Sequence, residues 1–448
     1  MENNIIELLK EPNRATLRVK LDSMNEADIA TDLEELDEQD AVIVFRMLSK
    51  DKATVVFAYL DPDIQQSIIE AIADREIGGI IDELFLDDAV DFIEEMPANV
   101  VKRVLANVTP DRREMINHFL KYPDDSVGSI MTIEYVKLKS SMTVADAFAH
   151  IRSTGTNKET IYTCYVTDNA LRLIGLVTAR TLFLSPKESL IKDIMQPDVM
   201  FARTHEDQED LMNSFRKYGY LAIPVVDSED RLVGIVTHDD AFTVQEEETT
   251  EDFEKMAAML PSEEPYLKTG VFTMAKNRVL WLLLLNLSVF LTGAILAKFE
   301  NTVAILPILA TFIPLLMDTS GDAGSQSSTL VIRGMALEEI KLSDSLNVFF
   351  KELRVALICG GVLAIVNCAR VMIFGQNFDI AVTVSLALLA AIVFSKTIGG
   401  LLPLGAKLVK LDPAVMAGPV LTTFVDAASL IVYFGLANVI LRDRLAGG

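Results

Sequence analysis

The sequence predicts a mainly α chain in four parts: a helical-repeat superhelix, a duplicated α/β unit, a long acidic connecting helix and a five-helix transmembrane domain. Three observations predict it. Apolar residues return every 12 positions through the first part, a pair of matching segments follows, and the last part holds several apolar stretches long enough to cross a bilayer. Charge divides the chain at the same place: residues 1–270 carry 53 Asp and Glu against 27 Lys and Arg, whereas residues 271–448 carry 11 against 13. The expected boundaries are 1–127, 128–245, 246–270 and 271–448.

In the first part, Leu36, Leu48, Leu60, Ile72, Leu84, Met96, Val108 and Leu120 stand 12 apart. Leu33, Phe45, Phe57, Ile69, Ile81, Ile93 and Leu105 stand three places earlier. An i, i+3 pair repeated this way predicts one apolar stripe on each of several short helices. Asn25, Asp37, Ser49 and Asp61 are N-cap residue types, and Pro62 and Pro110 suit first turns. One short helix cannot bury its stripe alone, so the units must stack. Glu34, Glu35, Asp87, Asp88, Asp91, Glu94 and Glu95 fall on outer positions, either as a solvated face or as a surface responsive to cations.

The second part is a duplication. Ile130-Met131 opens one copy and Ile194-Met195 the next; Leu173–Thr178 and Leu232–Thr237 close them. Helical patterns at Val144–Arg152 and Gln208–Lys217 alternate with strands at Tyr162–Val166 and Ala222–Val226, and Asp227–Asp230 reads as a hairpin turn. This pair resembles tandem CBS domains, which implies a regulatory module able to take an adenine nucleotide such as ATP. Thr237 and Asp240 match the family's nucleotide-contacting ending; the first copy has Thr181 in place of that Asp. An unoccupied structural pair stays equally open. After it, Glu246, Glu247, Glu248, Glu251, Asp252 and Glu254 crowd one helix and repel each other unless a cation intervenes.

Five spans follow, at about 279–297, 303–331 with a break, 355–374, 380–402 and 414–440. Lys276 and Arg278, the Arg333–Arg354 loop, and Lys407 with Lys410 set the cytoplasmic side. The second span contains Asp318–Thr329, too polar to face lipid. It must line water, with Ser325 and Thr329 four apart along a path, or make a tight helix contact from small residues. The last span holds Asp426, a lone carboxylate in an apolar run, with Gly418, Thr422 and Ser429 on the same face. Such a group lines a route for a charged solute, or is held by a Thr, Lys396 or Arg370.

Taken together, the chain resembles the MgtE magnesium channels over nearly its whole length. The resemblance rests on Asp412–Pro419 with Thr422, Thr423 and Asp426, and on Gly321-Asp322-Ala323-Gly324-Ser325-Gln326, where Asp322 and Ser325 replace Asn. It implies a homodimer with its pore on the two-fold axis and Asp426 meeting hydrated Mg2+. It also implies regulatory ligands at Asp207, Glu209 and Asp240 and at Glu248, Glu251 and Asp252, with Gly219 where an acid is expected. The expected function is Mg2+ passage across the plasma membrane, gated by cytosolic Mg2+, with the N-terminal domains cytoplasmic. The alternative is an ion-coupled secondary transporter of divalent cations. The acidity excludes nucleic acid as a partner. Free Cys164, Cys359 and Cys368 and scattered His118, His150, His205 and His238 form no catalytic pattern, so no enzyme is expected. Glu2 and Glu7 give the start of the chain no signal-peptide character.

Overall fold

The computed structural model describes Ile5, Leu9 and residues 14–262 and 266–446; Glu2 and Glu7 lie outside these. The chain forms two compact units, 1–244 and 245–448.

The first unit begins with helices α1 (Arg14–Ser23), α2 (Glu26–Glu34), α3 (Glu38–Phe45), α4 (Lys50–Ala58), α5 (Pro62–Ala71), α6 (Asp74–Ile81), α7 (Leu86–Glu95), α8 (Ala98–Asn107) and α9 (Pro110–Phe119). Their N-caps keep the 12-residue period: Asn25, Asp37, Ser49, Asp61, Ala73, Phe85, Pro97 and Thr109. Asn25 accepts from the Ala27 amide at 3.0 Å and Asp37 from that of Asp40 at 2.9 Å, satisfying donors that a first turn leaves free. The expected stripes need one correction. Phe45, Phe57, Ile69, Ile81 and Ile93 are buried within helices, but Leu60, Ile72, Leu84, Met96 and Val108 are buried beyond helix ends, in the connecting turns. Helices of 8–10 residues leave the i+3 partner at or past the C-cap. Those helix ends and turns expose carbonyls, and basic side chains three helices onward collect them. Lys52 donates to Leu21 and Met24 (2.8 and 2.6 Å), Arg103 to Ile69 and Ile72 (2.7 and 2.9 Å), and Arg112 to Leu84 and Phe85 (2.5 and 3.0 Å).

The duplicated part has strands β1 (Tyr135–Lys139), β2 (Thr160–Thr167) and β3 (Leu173–Thr178) in one sheet, and β4 (Ala202–Arg203), β5 (Ala222–Val226) and β6 (Leu232–Thr237) in the other. Each sheet pairs its first two strands in parallel and closes with an antiparallel hairpin. Helices α10 (Val144–Thr154) and α13 (Gln208–Tyr218) fill the crossovers; the short α11 (Ala179–Leu184) and α12 (Ile191–Ile194) link the copies. The opening segments trade places. Thr132 exchanges hydrogen bonds with Ile235 of the second copy, and Gln196 with Leu176 of the first. This explains Gly175 and Gly234: a Cβ there would lie 2.8 Å from the sulfur of Met195 or Met131. The core of the helical repeat is continuous with that of the second copy, through Met131, Leu211, Phe215 and Val236.

One helix, α14 (His238–Met256), runs without interruption across the expected boundary at 245/246. The second unit continues with α15 (Val271–Lys298), α16 (Glu300–Ile305), α17 (Ile313–Ala336), α18 (Ser345–Ile373), α19 (Phe378–Leu408), α20 (Pro419–Ile440) and the short α21 (Arg442–Ala446). Among the described residues, four helical segments are long and apolar enough to cross a membrane: 271–298, 342–373, 378–408 and 414–440. The other expected span differs in one respect. Its break falls at a 3-10 turn, Pro307–Phe312, before the polar run, and Asp318–Thr329 is regular helix. Pro307 lacks an N–H, which disrupts the helix there. Buried Tyr433 donates to the Leu309 carbonyl at 2.9 Å, satisfying backbone that apolar surroundings would not. Helix α19 lies centrally, with 56% of its apolar window buried against 0% for α15.

Candidate functional site

Two places concentrate chemistry, one in each unit. In the first, the start of α7 faces the nucleotide-type ending of the second copy. Asp87 is buried, Asp88, Glu134, Glu159 and Asp240 are half-buried, and Asp91 and Asp239 keep solvent contact. Burial pushes the Asp87 carboxyl well above the usual range, and Asp88, Asp240 and Glu159 add to it. Asp88 rises to about 6 and Glu159 to about 8, first through burial and then through Asp240. Asp91 rises to about 8 through burial and Asp88, although its solvent contact screens part of this. Asp87 Oδ1 and Glu159 Oε2 are buried with no hydrogen-bond partner among the described residues. Packing carboxylates so closely is unfavourable unless protons or cations balance them. The outer acids Asp87 and Asp88 are therefore not a solvated face: the repeat turns the first turn of α7 inward.

Thr237 donates to Asp240 at 2.5 Å, so the two expected nucleotide contacts do meet. That bond partly offsets the burial that raises Asp240. In the first copy Thr178 and Thr181 hydrogen-bond to each other at 3.0 Å. Asp207 caps α13, accepting from the Glu209 amide at 2.8 Å, and both lie on the exposed start of that helix. Gly219 ends α13 in the left-handed region, φ 63°, a conformation an acidic residue would adopt only with strain. Helix-stop geometry thus accounts for glycine at 219.

In the second unit, the polar run of α17 splits between two faces. Ser320, Gly321, Ala323, Gly324, Ser327 and Ser328 are buried against neighbouring helices. Ser320 shares a hydrogen bond of 2.9 Å with Ser429 of α20, and Ser395 of α19 donates to the Ser320 carbonyl. A Cβ on Gly399 would strike the Gly324 carbonyl, so small residues let α17 and α19 touch. The steps Asp318, Asp322, Ser325 and Thr329 fall on the other face; all but half-buried Ser325 are uncovered in the single chain. Half-buried Thr422 and Asp426 of α20 adjoin this stripe: Gly321 packs toward Thr422, and Asp318 lies within electrostatic reach of Asp426. The small residues of the run thus make the tight helix contact, while its acidic and hydroxyl steps fall on the other side of the same helix.

The anticipated partners of Asp426 are engaged elsewhere. Lys396 donates to Ala323 and Gln326, and Arg370 donates to Asn367. Gly418 meets the end of α14: a Cβ on it would strike the Met256 carbonyl. Beside that contact, Lys255 pairs with Glu251 (2.5 Å) and Asp412 (2.7 Å). Burial and Asp412 raise Asp252 to about 6. Glu251 thus shares a cation of the chain's own, and Glu248 lies one turn back along α14. Lys255 carried no signal in the sequence, because its ion pair with Asp412 joins residues 157 apart. Among the described residues, no group of three His, Cys, Asp or Glu side chains converges to hold a bare metal ion. Spaced carboxylates of this kind suit an ion that keeps its own waters, as Mg2+ does.

An apolar helical unit with a face of carboxylates and hydroxyls, following an acidic helical repeat and a duplicated α/β pair, defines a membrane transporter for divalent cations. Family models agree part by part: a divalent cation transporter domain at residues 313–436, an MgtE intracellular N domain at 24–125, and CBS domains at 127–186 and 191–247. The chain is 34% identical over 361 residues to the magnesium transporter MgtE of Thermus thermophilus, covering 80% of each. It is 30% identical over 357 residues to that of Bacillus subtilis, covering 80% of this chain and 79% of the relative. The cytosolic domain of an Mg2+ channel MgtE, solved in complex with ATP, matches 54% of this chain and 98% of its own length at 32% identity, with a TM-score of 0.51. The soluble part of a magnesium transporter matches 55% and 96% at 28% identity, TM-score 0.52. The chain belongs to the MgtE family.

Proposed function

We propose that this chain passes Mg2+ across the cell membrane as a homodimeric, multi-pass channel, and that cytosolic Mg2+ closes it. The observation that carries the reading is the stripe of Asp318, Asp322, Ser325 and Thr329 beside Thr422 and Asp426, left uncovered or half-covered in one chain. A second copy across a two-fold axis would enclose it, giving paired carboxylates around a water-jacketed ion. Mg2+ sheds water reluctantly and takes oxygen donors, so hydroxyls and carboxylates at this spacing orient its waters rather than strip them.

Closure follows from electrostatics. At high cytosolic Mg2+ the Asp87–Asp88–Asp91–Glu159–Asp240 cluster is neutralised, with Asp207 and Glu209 contributing at α13. Helix α14 starts at Asp239 and Asp240 and ends at Glu251, Asp252 and Met256, against Gly418. Neutralising its acids favours the seated end; at low Mg2+ the acids repel and the seat loosens. Thr237 and Asp240 also suit the ribose of an adenine nucleotide such as ATP, which would couple nucleotide binding to the same cluster.

The test is patch recording of the full chain with cytosolic-side Mg2+ titrated. Unitary currents that Mg2+ suppresses, and that lose this suppression in Asp87→Asn/Asp88→Asn/Asp240→Asn, support the reading. Transport without unitary currents, and dependent on a second ion's gradient, would favour a coupled transporter and overturn the channel.

A further inference from the structure

Two ionisable side chains are buried in the membrane unit against α17. Lys396 of α19 is 5% exposed and Glu352 of α18 is 9% exposed. The Lys396 ammonium donates to the Ala323 carbonyl at 3.3 Å and to Gln326 Oε1 at 3.2 Å. Ser327 donates to Glu352 Oε2 at 2.6 Å and contacts the same Ala323 carbonyl at 3.4 Å. Among the described residues neither charge forms a direct ion pair. They are joined only through one turn of α17, Ala323 to Ser327. Gly400 admits the glutamate, since a Cβ there would lie 2.9 Å from its Cγ.

An unpaired ammonium inside a membrane unit is costly and needs a reason to persist. Its position supplies one. Ala323 immediately follows Asp322, and exposed Gln326 stands one turn on from Asp322 along the same face, so the charge sits beside the carboxylate face. Three carboxylates per chain would hold a divalent ion too firmly, and conduction requires an ion site weak enough to leave.

We propose that Lys396 is a fixed intramembrane cation that weakens the hold of the Asp318, Asp322 and Asp426 face on its ion, with Glu352 as its counter-charge. This rests on that face being the ion path. In surroundings of low dielectric, removing either charge changes ion occupancy strongly, and the two changes have opposite sign.

The test uses full-length protein in liposomes, with initial Mg2+ uptake measured against Mg2+ concentration. Lys396→Met is expected to lower the half-saturating concentration on the order of fivefold and to reduce the maximal rate. Glu352→Gln is expected to raise the half-saturating concentration by a similar factor. Lys396→Arg, which keeps the charge, is expected to stay near wild type. Loss of rate in both variants with half-saturation unchanged, or shifts in the same direction, would make the pair a packing device and overturn the proposal. Should Lys396→Met not fold, Glu352→Gln decides alone, and an unchanged or lowered half-saturation overturns it. Asp426→Asn runs in parallel: normal uptake there removes the path reading itself, whereas dead Asp426→Asn with an unshifted Lys396→Met removes only this inference.

Discussion

Stability of the acidic cluster should fall as pH rises when Mg2+ is absent. The carboxyls of Asp87, Asp88, Asp91 and Glu159 are all raised in the folded chain, so between their ordinary values and their folded values the folded state binds more protons than the unfolded one. The sign follows: their contribution is fully present below about pH 4 and is lost as pH climbs through the folded values, about 6 for Asp88 and about 8 for Glu159. For half-buried Asp88, a shift from 3.8 to about 6 gives a loss of about 1 kcal/mol between pH 5 and pH 7. In a unit of this size that is about 3 °C in melting temperature, and the other acids add in the same direction. Scanning calorimetry of the full chain in detergent with EDTA would follow the transition of the first unit from pH 5 to pH 8. Adding about 10 mM Mg2+ should restore stability at pH 8 far more than at pH 5, because protons and cations compete for the same oxygens. Asp87→Asn/Asp88→Asn should flatten both dependences. A transition that strengthens with pH in EDTA, or a Mg2+ response equal in wild type and variant, refutes the reasoning.

Other perturbations follow from single contacts. Gly418→Val cannot accommodate the Met256 carbonyl, so inhibition of Mg2+ current by cytosolic Mg2+ should need higher concentrations; an unchanged inhibition curve would mean that the α14 seat plays no part in closure. Gly234→Ala pushes against Met131 and the Thr132 carbonyl and should cost about 1–3 kcal/mol in thermal or denaturant unfolding, with Gly175→Ala similar. Tyr433→Phe leaves the Leu309 carbonyl without its donor; a loss of about 1 kcal/mol in a detergent melt is expected, and none would mean that the break finds another partner.

Local features were readable from sequence because local chemistry fixes them. The four expected N-caps from Asn25 to Asp61 hold their places; the side chains of Asn25 and Asp37 meet first-turn amides, and Pro62 starts the helix after Asp61. The closing strands Leu173–Thr178 and Leu232–Thr237 likewise follow from apolar runs bounded by turns. What depends on distant chain segments was not readable. Outer acids Asp87 and Asp88 read as solvent-facing from helical period alone, and only the packing of α7 beside Glu159 and Asp240 buries them. The polar run at 318–329 left two readings open because composition cannot tell a buried small-residue face from an uncovered acidic one on the same helix. Asp426 stood out at once, but its companion Asp318 did not, since their proximity is set by how α17 and α20 cross.

Mg2+ flux into liposomes containing the full chain, wild type against a folded Asp426→Asn variant, tests the central claim most directly. The account predicts uptake in wild type and a fall to the level of empty liposomes when that one charge is removed. Undiminished uptake through Asp426→Asn would contradict it and move the ion's route away from the α17–α20 face.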